Sequence, residues 1–539
     1  MYVPTHSILE GIRNAFPQQL FPWDEYYARM AETDFLAGRS DIPAVKSFFI
    51  RTAPFGGSYA LLGGITAALR DIAELQFSSD AFTAGMHDLG YSENFLRYLG
   101  AFGRLRVRIY APPEGSVFFP NEPVVSVSGP LAHVRLVEGI ILEALNFPSL
   151  VLTKWYRLVR SVRPGEVLEF SRRRAQHALK ASLYGMLAGC HATSNAELRR
   201  YFDVPVVGTM GHEWVQSFGD VGAAFRVWLT HQPGKPVGLV DTLRCLEHDF
   251  PAWLDAVYER RAAIVAADAP LWGWRNDSGD LAYLTIEQYV RFFRHALSRH
   301  DWFRERMRIV LTNELDEYAA TSIVGQIRTE AGQAGLDAED IIRRIVWAAG
   351  TKPGTCEDQS SLGGVMKLVE VEGRASMKPA LDAEGRVGIK TSIPGFNRSA
   401  IIRDERDEFR CLLLYPARRY EIDASGTLVD VLRHQALKSL TLCHKDTLGL
   451  STDIAEYRAE ARQELVYDSL NGGGLMGPSG AGSIQDVVSR VRKEVDELPW
   501  WMTRLSNPHL AQVSVTPDIV TLRRRMIETR ALVSEYNPF

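Results

Sequence analysis

Residues 166–170 read EVLEF and open a series of short apolar runs in the middle of the chain. The runs are Glu166–Phe170, Pro205–Val207, Val237–Val240, Leu271–Trp274, Arg308–Leu311, Ile345–Ala349 and Val365–Val371. Most begin roughly 32–39 residues after the run before, and helical sequence lies between them. Strand, helix and strand at that interval predict βα units and a parallel sheet. About seven units predict a closed or nearly closed α/β barrel, whose strand ends gather at one face.

The sequence on either side of these runs has a different secondary-structure pattern. Residues 1–160 mix helical and β-like segments, residues 373–435 are β-like and irregular, and the last ~55 residues are helical in pattern. A Gly-rich stretch at 472–482 lacks the Gly-Lys-Ser/Thr ending of a phosphate loop, which favours a flexible surface linker. We therefore predict an α/β fold with three parts. They are an N-terminal α+β domain (1–160, completed by parts of 373–435), an irregular α/β-barrel catalytic domain (161–372) and a C-terminal β/helical extension (373–539).

Composition excludes several classes of protein. The 539 residues include 61 Lys and Arg against 65 Asp and Glu, a net charge of −4, and 46% are hydrophobic. These values exclude a disordered or collagen-like chain and a broadly basic nucleic-acid-binding surface. The five cysteines include no CxxC pair, which predicts free thiols in a reducing compartment. No signal peptide and no uncharged apolar run of ~20 residues are recognised, so we expect a cytoplasmic protein without membrane segments.

Polar corners follow the predicted strands. Arg172–Arg174 could clamp a phosphate, although a solvated charge run or a nuclear-import patch has the same composition. His212 follows a turn flanked by Gly208 and Gly211. A lone histidine is commonly structural, but one at a barrel strand end is a candidate for catalysis. Zinc is rejected, because Gln216 stands where an HExxH motif needs its second histidine.

Three further corners carry acids. Asp241 and the acids of the corner at 311–317 follow strands in places where helix N-caps are the ordinary interpretation. Arg275, Asp277 and Asp280 crowd one corner, which favours a site over a capped turn.

Two glycine-containing corners come late in the predicted barrel. They are Gly350-Thr351 and Ser361–Gly364, and their backbone N–H groups could approach a phosphate. The residues alone thus indicate an α/β-barrel enzyme that binds an anionic ligand, and they favour a phosphorylated one. They do not name the reaction.

In their order along the chain, these corners resemble the nicotinate phosphoribosyltransferase family of type II phosphoribosyltransferases. The similar segments are Asp24–Met30, Phe48–Gly57 (FFIRTAPFGG), Glu114–Pro130, Phe170–Gln176, Ala192–Asn195, Gly208–Trp214, Leu239–Thr242, Arg275–Asp280 and Gly363–Glu370. Each match is modest by itself, and the ordered set is specific. Two segments depart from the family pattern: Ser171 stands where Gly is usual, and residues 352–360 differ from the usual continuation.

The resemblance implies transfer of phosphoribose from 5-phosphoribosyl-1-pyrophosphate to nicotinate, which gives nicotinate mononucleotide and pyrophosphate in NAD salvage. It implies ATP as a co-substrate that phosphorylates His212, and Mg²⁺ on the pyrophosphate, with no protein residue assigned as a metal ligand. No tightly bound organic cofactor is implied. Family members are homodimers that build each site from two chains.

The resemblance also implies roles for single residues. Phe170 and Tyr26 stack on the pyridine ring, and Tyr26 comes from a second subunit. Asp277 faces the ribose, and Arg275 and Arg173 hold the nicotinate carboxylate or a phosphate. The remaining substrate-binding residues are Ser194 and Thr209, Gly350, Thr351, Gly363 and Gly364 at the 5-phosphate, and Arg51, Lys378 and Lys390 near the pyrophosphate.

Two alternatives remain open. A nicotinamide-specific relative carries an acid near the Thr193-Ser194 position, whereas a hydroxyl there favours the nicotinate carboxylate. A catalytically silent barrel that binds nucleotides would be stabilised by ligands without releasing pyrophosphate. A decarboxylating relative that uses quinolinate is disfavoured, because that family is much shorter.

Overall fold

The structure is a computed structural model and describes residues 7–379, 391–445, 450–475 and 482–536. The chain divides into two compact units. One is built from residues 153–360, and the other combines the described residues of 7–152 and 361–536. The second unit groups the predicted N-terminal domain with the C-terminal region.

Both units combine helices with strands. In chain order, the helices are α1 (Ile8–Ala15), α2 (Glu25–Leu36), α3 (Ile65–Glu74), α4 (Asp80–Asp88), α5 (Glu93–Phe102), α6 (Leu131–Ser161), α7 (Ala178–Leu187), α8 (His212–Gln216), α9 (Val221–His231), α10 (Phe250–Ala266), α11 (Leu281–Arg294), α12 (Asp301–Arg306), α13 (Glu317–Gln333), α14 (Ala338–Arg343), α15 (Thr351–Thr355), α16 (Ile484–Asp496) and α17 (Pro517–Glu528). The strands are β1 (Pro43–Phe49), β2 (Ala60–Leu61), β3 (Arg108–Ala111), β4 (Val117–Phe118), β5 (Val125–Pro130), β6 (Glu166–Glu169), β7 (Ala192–Thr193), β8 (Val237–Leu239), β9 (Trp272–Asn276), β10 (Met307–Leu311), β11 (Ile345–Ala349), β12 (Val365–Val371), β13 (Arg374–Ser376), β14 (Asn397–Arg403), β15 (Phe409–Pro416), β16 (Tyr420–Ile422), β17 (Leu428–Asp430), β18 (Gln435–Ala436), β19 (Leu440–His444), β20 (Ser451–Ile454), β21 (Arg458–Ala461), β22 (Glu464–Asp468), β23 (Val513–Val515) and β24 (Val533–Ser534).

A parallel sheet organises the unit of residues 153–360. Its strand order is β7-β6-β11-β10-β9-β8, and each neighbouring pair is parallel. Helices α7, α10, α11 and α13 separate successive strands, which confirms the predicted α/β class. An isolated parallel bridge from Thr193 to Val206 extends the sheet beyond β7.

Two predicted strands differ from the observed ones. The run Pro205–Val207 contributes only the bridge at Val206, and the short strand β7 before it was not predicted. The run Val365–Val371 is strand β12, but it pairs antiparallel with β1 in the other unit. The parallel sheet therefore lacks the predicted seventh repeat.

Buried aromatic side chains hold β9 in place. Trp272 and Trp274 are fully buried, with their rings against Phe292 and Phe250 at centroid distances of 5.5 and 4.8 Å. Such pairs stabilise a core by about 0.5–1.5 kcal/mol beyond burial. Because alternate strand residues face opposite sides, Arg275 lies on the face away from these rings.

The other unit is built on antiparallel sheets. One has the strand order β22-β3-β5-β1-β12-β13-β24, and a second has the order β20-β19-β23-β15-β14-β21. Phe48 of β1 lies between Met366 of β12 and Val125 of β5 and is fully buried. The β-like texture of residues 373–435 thus corresponds to real strands. Residues 476–481 of the predicted Gly-rich loop lie outside the described residues.

Helix α6 is long and apolar enough to cross a membrane by length and composition alone. In its most apolar window, 67% of the residues are buried inside the protein, which is typical of a core helix. Glu138, Glu143 and Lys154 interrupt this helix, so it is not an uncharged apolar run of ~20 residues and does not contradict the expectation that none is present. The five cysteines are free, as predicted.

Candidate active site

Polar side chains cluster at the carboxyl edge of the parallel sheet. His212 begins α8, Asp241 and Thr242 follow β8, Arg275 and Asp277 lie at the end of β9, and Thr312 follows β10. Because parallel strands end at the same edge, residues distant in sequence become neighbours there. The structure thus brings together the three residues predicted to be catalytic: His212, Asp277 and Arg275.

The His212 imidazole lies between a hydroxyl and two carboxylates. Its Nδ1 is 3.1 Å from Thr242 Oγ1. Its Nε2 is 3.8 Å from Asp241 Oδ1 and 3.7 Å from Asp277 Oδ2. The side chain is 37% exposed, so the ring is both oriented by the protein and open to a ligand. Thr242 was not predicted as a site residue.

Asp241 joins two corners of the site. Its side chain is only 3% exposed, and its Oδ2 accepts hydrogen bonds from Asp277 N (2.6 Å) and Ser278 Oγ (2.8 Å). Its Oδ1 is buried without a hydrogen-bond partner and faces His212. The N-cap interpretation was wrong, since the next α-helix, α10, begins at Phe250. The informative pattern was an acid directly after a buried strand.

Asp277 is held on one side only. Its Oδ1 accepts a hydrogen bond from Thr312 Oγ1, which also bonds to Asn276 O at 2.9 Å. Its Oδ2 faces His212, and 27% of its side chain is exposed. One oxygen is therefore fixed while the other can meet a ligand. Thr312 belongs to the predicted corner at 311–317 but was not predicted as a site residue.

Arg275 is a largely buried cation. Its Nη2 donates to Met210 O at 3.1 Å, and its Nε is buried without a partner. Burial lowers the pKa of its guanidinium, the charges of Asp277 and Asp241 oppose that shift, and the charge of Arg173 reinforces it. An arginine remains charged at neutral pH in such surroundings. Its open donor suits an anionic ligand.

The corner after β6 supplies an aromatic face. Phe170 packs, half-buried, against Val310, Val346 and Ala348. Arg173 is exposed, while Ser194 is half-buried and donates its backbone N–H to Glu169 O at 2.8 Å. Thr209 is half-buried, and its hydroxyl is 3.4 Å from Met210 O. These four predicted residues belong to the same unit as His212.

Gly350 and Thr351 start the short helix α15 after β11. A Cβ on Gly350 would lie 2.6 Å from the carbonyl oxygen of Phe170, closer than real Cβ contacts, so only glycine fits there. The next residue, Lys352, forms an ion pair with Asp316 (3.3 Å).

The other predicted glycines lie in the second unit and are already engaged. Gly363 N donates to Ser361 Oγ (3.1 Å), and Gly364 N donates to Asn146 Oδ1 (2.8 Å). A phosphate at these amides must therefore exchange with an existing bond.

Four predicted residues of the second unit carry aromatic or basic side chains. Tyr26 is 52% exposed, and its ring lies beside that of Tyr27 with a centroid distance of 4.0 Å and a tilt of 35°. Arg51 lines an open cleft of about 1060 Å³, and its Nε is buried without a partner. Lys378 is exposed, and Lys390 lies outside the described residues.

The described residues contain no group of three or more His, Cys, Asp or Glu side chains arranged to hold a metal ion. Mg²⁺ usually takes one or two carboxylates together with substrate phosphates. Asp241 Oδ1, which has no partner, and Asp277 Oδ2, which is accessible, both face His212 and are ligand atoms of this kind. These residues fit a magnesium ion that arrives with a phosphorylated substrate.

Comparison with known proteins identifies relatives. Residues 22–146 match the family model of the nicotinate phosphoribosyltransferase N-terminal domain. The nicotinate phosphoribosyltransferase of Homo sapiens is 31% identical over 422 residues, which cover 69% of this chain and 74% of the relative. That of Bacillus subtilis is 31% identical over 354 residues, which cover 65% of this chain and 66% of the relative.

Solved structures agree in fold. The crystal structure of human nicotinic acid phosphoribosyltransferase superposes with a TM-score of 0.72 at 24% identity and covers 93% of this chain and 99% of that one. Nicotinate-nucleotide pyrophosphorylase from Pyrococcus furiosus gives a TM-score of 0.57 at 16% identity, with coverage of 92% and 98%. The sequence match to the human enzyme shows that the chain belongs to the nicotinate phosphoribosyltransferase family.

Proposed function

We propose that the protein transfers phosphoribose from 5-phosphoribosyl-1-pyrophosphate to nicotinate, and that ATP drives the reaction through a phosphorylated His212. The main support is the position of His212 between Thr242 and the carboxylates of Asp241 and Asp277. The named relatives support the same reaction.

Asp277 acts on the ribose. The pyridine nitrogen of nicotinate forms a bond to the anomeric carbon while the carbon–oxygen bond to pyrophosphate breaks, and the electron pair leaves with pyrophosphate. Positive charge develops on the anomeric carbon during this exchange. The accessible Oδ2 of Asp277 stabilises that charge more in the transition state than in the ground state.

Nicotinate is held by its ring and its carboxylate. Phe170 supplies one aromatic face, and Tyr26 from a second copy of the chain supplies the other. The open Nε of Arg275 and the hydroxyl of Ser194 bind the carboxylate, with Arg173 nearby. An amide in place of the carboxylate gains less from these donors, which favours nicotinate over nicotinamide.

His212 couples ATP to the transfer. When its Nδ1 donates to Thr242, the Nε2 lone pair is free to attack the γ-phosphorus of ATP, and the bond to ADP breaks. The phosphoryl group then carries its negative charge beside two carboxylates. This repulsion raises the free energy of the phosphorylated enzyme, and attack by water on the phosphorus releases inorganic phosphate and relieves it.

The 5-phosphate and the pyrophosphate of the substrate are bound by cations and backbone amides. Gly350, Thr351 and, after exchange of existing bonds, Gly363 and Gly364 bind the 5-phosphate, and Thr209 lies beside the ribose. Arg51, Lys378 and Lys390 of a second copy approach the pyrophosphate. Mg²⁺ bound to the pyrophosphate of the substrate, with Asp241 as a protein ligand, would neutralise the leaving group.

The same proposal includes the barrel, the cellular location and the oligomeric state. Residues 161–372 include an irregular α/β barrel, and the protein is a cytoplasmic homodimer with shared sites. Its ligands are small molecules rather than nucleic acids or membranes.

Pyrophosphate release tests the proposal directly. The assay contains 5-phosphoribosyl-1-pyrophosphate and Mg²⁺ with nicotinate or nicotinamide, each with and without ATP. Release with nicotinate that ATP accelerates is expected. Release with nicotinamide alone would instead identify the nicotinamide-specific relative. Stabilisation by ligands without any release would identify a silent binding protein.

His212→Ala tests the coupling. The variant is expected to lose the ATP stimulation and to retain slow transfer without ATP. Thr242→Val removes the hydroxyl that contacts His212 but leaves the His212 imidazole in place. This variant is expected to weaken the ATP stimulation only partly. Full ATP stimulation in His212→Ala would remove His212 from its role.

A further inference from the structure

The corner after β6 contains a buried carboxylate with three donors. Glu169 is fully buried, and its Oε1 accepts from the backbone N–H of Ser171 (2.7 Å) and from Ser171 Oγ. Its Oε2 accepts from Thr193 Oγ1. A buried carboxylate requires such donors, because an unsatisfied one would be strongly destabilising. Ser171 is thus held by both its backbone and its side chain.

The same serine contacts helix α15, which follows β11. A Cβ on Gly354 would lie 2.2 Å from Ser171 Cβ and 2.8 Å from Ser171 Oγ. Ser171 is fully buried, and Gly354 is buried as well. The serine side chain therefore occupies the space that a side chain at 354 would need.

A second contact lies one step along the same two segments. Phe170 N donates to Ala349 O (2.7 Å), and the carbonyl of Phe170 leaves no space for a Cβ on Gly350. Residues 349–354 and residues 170–171 therefore meet at two positions, and each position requires a glycine on the later segment. The two segments are therefore packed closely against each other.

We propose that Ser171 is a positioning residue that fixes Gly350 and helix α15, the proposed site of the 5-phosphate, against the corner that carries Phe170. The inference rests on the proposed function. Glu169 fixes Ser171, and Ser171 sets the distance to Gly354. The phosphate end and the ring end of the ligand are then held at a constant separation.

Exchange of one methyl carbon between the two positions tests this coupling. Gly354→Ala adds a Cβ against Ser171, and the double variant Ser171→Gly/Gly354→Ala adds that carbon while it removes the opposing one. Binding of ribose 5-phosphate is measured from the shift in melting midpoint that this ligand produces. The measurement requires no turnover. Gly332→Ala is the matched control, because a Cβ on Gly332 of α13 has no atom within 4 Å.

Gly354→Ala is expected to weaken ribose 5-phosphate binding at least thirtyfold, and the double variant to recover to within about tenfold of the wild type, which is the loss expected from removal of the Ser171 hydroxyl alone. The KM for 5-phosphoribosyl-1-pyrophosphate should follow the same pattern while kcat changes less than threefold. Gly332→Ala should change neither. If Gly354→Ala lowers the melting midpoint but leaves binding unchanged, or if the double variant does not recover, the proposal is overturned.

Two further measurements keep the result interpretable. If Gly354→Ala does not fold, Ser171→Ala, which keeps the Cβ and loses one donor to Glu169, should weaken ribose 5-phosphate binding about threefold to tenfold. Unchanged binding in Ser171→Ala would count against the proposal. A wild type that binds ribose 5-phosphate but releases no pyrophosphate would refute the proposed function and leave the coupling of Ser171 to Gly354 measurable.

Discussion

Asp241 Oδ2 accepts the backbone N–H of Asp277 at 2.6 Å, which joins the end of β8 to the end of β9. The bond links two residues that are 36 positions apart, and both of their carboxylates face His212. The position of Asp277, the acid proposed to face the ribose, is therefore set by a second acid. This relationship makes Asp241 as important as the residues it orients.

Asp241→Asn should lower kcat about 100-fold, a cost of about 2.7 kcal/mol in transition-state stabilisation. The amide removes one of the two negative charges beside His212, and its N–H₂ group replaces either the oxygen that accepts from Asp277 and Ser278 or the oxygen that faces His212. Steady-state pyrophosphate release measures the effect. A kcat within threefold of the wild type would show that neither the charge nor the bond to Asp277 matters.

Asp277→Ala should lose turnover far more than substrate binding. A fall in kcat of about 100-fold to 1000-fold, with the dissociation constant for 5-phosphoribosyl-1-pyrophosphate within about threefold, is the expected pattern for a group that acts in the transition state. Calorimetric titration and initial rates supply the two quantities. Equal losses in both would assign Asp277 to ground-state binding instead.

Gln288 holds strand β9 through hydrogen bonds to two of its side chains. Its side-chain amide exchanges two 2.8 Å hydrogen bonds with Asn276 and accepts from Trp274 Nε1 at 2.7 Å, and both amides are fully buried. Gln288→Leu leaves these partners unsatisfied and should lower the free energy of unfolding by about 1–3 kcal/mol. Because Asn276 lies between Arg275 and Asp277, kcat should fall as well.

Chemical denaturation and initial rates measure both effects of Gln288→Leu. Gln333→Leu, at an exposed position of α13, is the control and should change neither quantity. A stable, fully active Gln288→Leu variant would contradict a supporting role.

The lowered pKa of buried His133 predicts that the free energy of unfolding falls in acid. Burial, aided by the charge of Arg106, lowers the pKa of this histidine from 6.5 to about 4. Its Nδ1 accepts the backbone N–H of Arg106 (3.2 Å), and its Nε2 is buried without a partner. The unfolded chain therefore takes up a proton below pH 6.5 that the folded chain refuses until about pH 4.

The free energy of unfolding should accordingly fall as pH drops from about 6.5 to about 4, by up to about 3 kcal/mol from this group. Urea denaturation at several pH values measures the slope. His133→Phe keeps a ring among the surrounding aromatic residues and should lack this part of the slope, whereas exposed His87→Gln should keep it. Identical slopes in all three proteins would contradict the prediction.

Local pattern predicted the strands better than their partners. Residues 345–349 and 365–371 are both apolar runs that follow polar sequence, and both are strands. The first joins the parallel sheet, whereas the second pairs with residues 43–49, more than 300 positions away. Periodicity reports which residues are buried and does not report which distant strand covers them.

The candidate site divides in the same way. His212, Arg275 and Asp277 follow strands in the sequence, and the structure places their side chains together. Asp241 was interpreted as an N-cap because an acid after a strand usually satisfies the next helix. Its actual partners, Asp277 and Ser278, become neighbours only when β8 pairs with β9.

The seven-stranded sheet cannot be completed until late in synthesis, because one of its strands comes from near the end of the chain. Strand β3 (108–111) must wait for β22 (464–468), while the parallel sheet between them is complete at residue 349. At about 5–20 residues per second, the ribosome leaves β3 without this partner for roughly 6–24 s after the middle of the chain has emerged. An unpaired strand edge is a template for association with another chain. The nascent protein therefore passes through an interval in which the parallel sheet can fold while β3 still has one unpaired edge.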